Sequence, residues 1–146
     1  MFPLKASAMG LFCCTLSACA QQPTPPLDSQ QVRIEQRTSM PLDQLRAYRL
    51  NGEPVRSLRF PDLPPGAHKL QVRFQFEVPG GGQRDGGRLE SRERTCILGL
   101  SHDDFRAGQQ YQIYAERRGW QPAAWLLSPE GERLTRARII RCGPGL

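Results

Sequence analysis

The chain has little lysine, little histidine and no helical periodicity. Of its 20 basic residues only Lys5 and Lys69 are lysine; the rest are arginine. Such a bias follows readily from the base composition of a gene, so it is not read as a nucleic-acid footprint, and no nucleic-acid partner is expected. The two histidines, His68 and His102, and the widely spaced later cysteines lack the close pairs of a structural zinc site. No metal or cofactor is therefore expected. No ten-residue segment sustains a 3.6-residue apolar period, which argues against amphipathic helices. No apolar run reaches the roughly 20 residues of a spanning helix. The glycine-rich run GGGQRDGG, residues 80–87, lacks the GxxxxGK[ST] spacing of a phosphate cradle and reads as a tip between long strands.

What is present begins with an address. Lys5 precedes the apolar and small-residue run Ala6–Ala18, 13 positions long. Its length and flanks match a secretory signal. The run ends in Leu16-Ser17-Ala18-Cys19, which resembles the bacterial lipobox. That resemblance implies cleavage before Cys19, a diacylglyceryl thioether on its sulfur and a further acyl chain on its freed amine. Several chains anchor stably where one is marginal, since each buried methylene contributes roughly 0.8 kcal/mol. Ala20 rather than Asp follows the cysteine, which by the same resemblance favours the outer membrane of a Gram-negative cell, on its periplasmic face. Residues 1–18 are thus expected to be a signal peptide. Residues 19–31, with the Pro- and Gln-rich stretch QQPTPPLDSQQ, are expected to be a lipidated cysteine and flexible tether. Residues 32–146 are left as the folded domain.

Processing changes the cysteine count. Cys13 and Cys14 leave with the signal and Cys19 takes lipid, leaving Cys96 and Cys142 in an oxidising compartment. A disulfide between them is expected; two buried free thiols are the rival reading.

The domain reads as short strands. HKLQVRFQFEV, residues 68–78, alternates Leu70, Val72, Phe74, Phe76 and Val78 with polar residues at every intervening position. QVRIEQR (31–37), LRAYRL (45–50), RERTCILGL (92–100), YQIYAE (111–116), AAWLL (123–127) and RARIIRC (136–142) supply the others. Asn51-Gly52 signals a type I′ hairpin, and Ser128-Pro129-Glu130-Gly131 a further turn. An all-β fold, an antiparallel β-sandwich of about seven or eight strands, follows. LNGEPVRSLRFPDLPPGAHKLQVRF, residues 50–74, resembles the PEGA-type unit of bacterial envelope proteins, through Leu63, Pro64, Gly66, His68, Leu70 and Val72. FRAGQQYQIYA, residues 105–115, is similar to a segment of small bacterial lipoproteins, with Gln109 where those often carry histidine. Both resemblances imply an immunoglobulin- or transthyretin-like sandwich and no catalysis.

Three constellations remain. Ser101-His102-Asp103-Asp104 holds a nucleophile, a base and carboxylates, but neighbours on an extended chain point to alternate faces and do not converge. It reads as a polar turn, and no catalytic residue is expected. Trp120, with Arg117 and Arg118, and the pair Arg136 and Arg138 are candidate contacts for an anionic glycan, lipid or envelope protein. Arg141 joins that stripe only if a bulge intervenes at Ile139-Ile140. The expected function is that of a non-enzymatic periplasmic lipoprotein binding an envelope partner. An accessory binder of anionic glycan or lipid is the alternative, and an envelope hydrolase a remote one.

Overall fold

The structure, a computed structural model, describes residues 24–78 and 92–143. The expected signal peptide, Cys19, the first part of the tether and the run 80–87 lie outside the described residues. Within them the chain forms strands and no helix. In chain order these are β1 (Arg33–Thr38), β2 (Gln44–Leu50), β3 (Glu53–Pro54), β4 (Gly66–Val78) and β5 (Arg92–Phe105). They continue with β6 (Gln110–Arg118), β7 (Gln121–Leu127), β8 (Arg133–Arg136) and β9 (Arg138–Gly143).

One sheet has the order β1-β6-β7-β8, the other β3-β2-β4-β5-β9. Strand alternation turns one set of side chains inward from each, so that the two sheets share a core. Leu70, Val72, Phe74 and Phe76 on β4, and Cys96, Leu98 and Leu100 on β5, pack with Ile34, Ile113, Ala115 and Leu126 from the opposite sheet. The expected all-β sandwich is present.

Details differ from the alternation pattern, each for a local reason. β1 and β6 run parallel, from Arg33↔Gln110 to Thr38↔Ala115, inside an otherwise antiparallel fold. The run at 136–142 is two strands, divided at Ala137 where the chain passes from one sheet to the other. The 101–104 cluster is not a turn. β5 continues through it to Phe105 because β4 supplies partners along the whole length, from Val78↔Arg92 to Gly66↔Phe105. The inward His102 ring lies edge-on to Phe105, with centroids 4.9 Å apart.

The Asn51-Gly52 hairpin forms as expected, with φ of 51° and 91°, the doubly positive pair of a type I′ turn. The described part of the tether, from Thr24, lies against the fold: Arg33 Nη1 donates to the Pro25 carbonyl at 2.8 Å, and Gly108 N–H to that of Gln31 at 2.8 Å.

Candidate anion-binding face

The alternation that buries β4's apolar residues turns Lys69, Gln71, Arg73 and Gln75 to the outer face of the five-stranded sheet. Register then assembles the neighbours. On β2, Arg46 stands beside Arg73 and Arg49 beside Gln71, with a register shift that leaves Tyr48 as the extra residue. On β9, Arg138 stands beside Gly99 and Arg141 beside Ile97. Simple alternation would put Arg138 and Arg141 on opposite faces. The register shift between Ile97 and Leu98 leaves Ile140 unpaired, and that bulge restores both arginines to one face.

Tyr48 is the centre of this face. The guanidinium carbons of Arg73 and Arg49 lie 5.3 and 5.5 Å from its ring centroid, within cation–π range. Arg141 Nη2 donates to its hydroxyl at 3.3 Å. Burial alone would raise the Tyr48 pKa. The charges and hydrogen bonds of Arg49 and Arg141 outweigh it and hold the phenol below its ordinary value. Beneath lies Ile97, 1% exposed although it belongs to the outer face. Its register partners are Arg73 on β4 and Arg141 on β9. Arg73 Nε is buried and has no hydrogen-bond partner among the described residues.

A groove of about 360 Å³ adjoins this cluster, lined by Lys69, Gln71, Ser101, Arg136, Arg138 and Ile140. Gly99 also lines it, and a Cβ there would come within 3.1 Å of Ile140 Cδ1, so glycine keeps the groove open. Arg136 and Arg138 belong to different strands and different sheets, yet they line this one groove. No carboxylate among the described residues lies within 4.0 Å of the charged groups of Arg46, Arg49, Lys69, Arg73, Arg136, Arg138 or Arg141. Glu77 and Glu93 are register partners at one end of the face, and the exposed Asp103 follows Ser101 on β5 at the other. Such a face attracts anions over a distance and offers forked donors to phosphate or carboxylate at contact.

The remaining candidates lie elsewhere. Arg117 is engaged within the fold: its Nε is 3.3 Å from Asp43 Oδ2, and its Nη1 donates to the Glu77 carbonyl. The Asp43 side chain is only 2% exposed, and burial pushes its pKa up even though Arg117 opposes the shift. Arg118 is exposed and pairs with Glu116 at 2.8 Å. Trp120 is 46% exposed at the β6–β7 turn, where Gly119 with φ 62° precedes it. Trp125 is buried beneath Arg133, whose guanidinium carbon is 4.2 Å from the ring centroid. The structure therefore assembles Arg136 and Arg138 with one another, and neither with Trp120.

Ser101 and His102 occupy successive positions of β5, and no hydrogen bond among the described residues joins them to each other or to Asp103. Asp104 is held by Arg106 at 3.1 Å. His68 is buried, with Nε2 2.7 Å from the Pro64 carbonyl and Nδ1 3.0 Å from Asn51 Nδ2, so it secures the hairpin. Cys96 and Cys142 are register partners across β5 and β9, their sulfurs bonded at 2.05 Å. The bridge ties down the edge strand that carries Arg138 and Arg141.

Sequence reasoning missed Tyr48, Arg46, Arg49 and Arg73 as parts of the face. The wet side of β4 was legible, but which strands flank it was not.

No protein-family model matches the chain, and no curated protein or solved structure matches it.

Proposed function

We propose that the protein is a non-enzymatic lipoprotein, anchored through Cys19 to the periplasmic face of the outer membrane, that binds an anionic envelope ligand. The ligand carries phosphate or carboxylate groups and lies on the outer face of the five-stranded sheet. The observation that carries this reading is the set of Arg46, Arg49, Lys69, Arg73, Arg138 and Arg141 on one face around Tyr48, with no carboxylate partner among the described residues. Solubility alone calls for both signs interspersed, whereas here the basic residues gather around Tyr48 and the acidic Glu77, Glu93 and Asp103 stand at the ends of the face. The lipobox, the tether and the bridge of Cys96 to Cys142 fit an oxidising compartment outside the cytoplasm.

The test is binding of the detergent-solubilised full chain to purified envelope glycans, one phosphorylated and one uncharged, across a salt series. Binding of the phosphorylated glycan alone, weakening as salt rises, is expected from screening of surface charge. Absence of binding at low salt overturns the anionic-ligand reading. Each charge-assisted hydrogen bond contributes about 1.5–3 kcal/mol. The double variant Arg73→Ala, Arg141→Ala is therefore expected to weaken binding at least tenfold.

A further inference from the structure

One end of the sandwich carries a surface of different character. The β1–β2 connection is a tight turn, Met40-Pro41-Leu42-Asp43, closed by the Asp43 N–H donating to the Met40 carbonyl at 3.1 Å. Leu42 is 86% exposed and Met40 46%. The parallel pairing of β1 with β6, in which Thr38 stands opposite Ala115, brings this turn level with the end of β6. The Asp43–Arg117 ion pair clamps it there. β6 then turns into β7 through Gly119 and Trp120, whose ring is also exposed. Three large apolar side chains from two adjacent turns thus project from one end. A soluble end would carry polar residues at such tips.

Two further observations say what covers it. Arg37 and Arg118 rim this end, with side chains 68% and 72% exposed, each beside a carboxylate of its own strand, Glu35 at 3.9 Å and Glu116 at 2.8 Å. An apolar tip with an aromatic residue and exposed arginines at its rim, held by solvent-facing ion pairs that lipid phosphate can replace, matches the layered chemistry of a bilayer interface, with acyl chains inside and phosphate outside. The position of the tether is the second. Thr24 and Pro25 lie in a groove beside β1 that Arg37 also lines. Only four residues separate Cys19 from Thr24, five steps of chain with a contour of about 17 Å when fully extended. A lipid on Cys19 therefore holds the domain close against the membrane, with its chain leaving beside the strand that ends in the apolar turn.

We propose that this end is a membrane-docking tip, which inserts Met40, Leu42 and Trp120 into the interface of a phospholipid bilayer while Arg37 and Arg118 contact lipid phosphates. The proposal rests on the reading of Cys19 as a lipid anchor and adds an orientation to it. The tip seats on the lipid and leaves the arginine face of the five-stranded sheet turned sideways, toward the periplasm.

The test uses the full lipidated chain in vesicles of phosphatidylethanolamine and phosphatidylglycerol with brominated acyl chains. Trp120 and Trp125 are the only tryptophans, and Trp125 is buried. Quenching of the exposed tryptophan is expected in the wild type, absent in Trp120→Phe and at least twofold weaker in Leu42→Ser. Intact mass reports separately whether the chain carries lipid. A lipidated, vesicle-bound chain quenched no more than Trp120→Phe overturns the tip and leaves the anchor standing. Quenching in a chain whose mass shows no lipid supports the tip and overturns the anchor.

Discussion

Replacing Cys96 and Cys142 together by alanine removes the bridge that joins β5 to the edge strand β9. The two residues are 46 apart in sequence. In the chain-entropy model, closing a loop of that length contributes about 4 kcal/mol by restricting the unfolded chain. Domains of this size have total stabilities of about 5–15 kcal/mol, so the loss is a large share. With a urea slope of about 2 kcal/mol/M, the midpoint falls by about 2 M. Cys96 is fully buried, so the alanines add a further small packing loss. Urea unfolding followed by far-ultraviolet circular dichroism, on oxidised wild type, reduced wild type and the double variant, measures it. The reduced wild type and the variant are expected to unfold together, far below the oxidised protein. Because β9 also carries Arg138 and Arg141, the variant is expected to bind anions more weakly even below its unfolding midpoint. Coincident midpoints for oxidised and reduced protein would refute the role given to the bridge.

Three other outcomes are expected. Arg33 holds Asp62 in a two-point pair, with contacts of 2.9 and 2.7 Å, and lowers its pKa. A depressed carboxyl pKa stabilises the fold at neutral pH, and that contribution is lost as pH falls through the folded value. Asp62→Asn is therefore expected to cost about 1 kcal/mol at pH 7 and nothing in strong acid, read from urea midpoints. Asp43 has the opposite sign: its raised pKa means the fold favours the protonated form, so its ionisation above that pKa opposes folding. Asp43→Asn is expected to be nearly neutral at pH 7, whereas Arg117→Met, which strands the buried carboxylate, costs about 2 kcal/mol by the same assay. Tyrosinate absorbance is expected to show Tyr48 ionising below an ordinary phenol, and Arg141→Ala to shift that titration upward.

Much of the fold was legible because its determinants are local. The alternation of residues 69–78 named the inner and outer faces of β4, while His68 at its start is buried rather than at the surface. Asn51-Gly52 named its own turn, since few other residues accept positive φ at both positions. The length of β5 was less legible. Ser101 to Asp104 are turn-forming residues, and only the long partner strand β4 holds them extended. The parallel pairing of β1 with β6 has no local signal, because it joins segments far apart in sequence. The site divided in the same way. Arg136 and Arg138 were visible as a pair, and the bulge needed to recruit Arg141 was visible as a condition. Tyr48 was not, because its importance comes from Arg73 and Arg141 on strands that only the fold brings to it. Arg117 looked like Arg118 in sequence; the buried Asp43 beside it is what distinguishes them.

The central claim is that the outer face of the five-stranded sheet holds an anionic envelope ligand. Gln71 lies within that face and Glu130 in the β7–β8 turn. A photo-crosslinking side chain placed at each position in growing cells tests the claim most directly. Capture of a phosphate- or carboxylate-bearing glycan or lipid at 71 and not at 130, abolished by Arg73→Ala with Arg141→Ala, is the expected result. Capture of such a ligand at 130 but not at 71, or of none at either position, would contradict it.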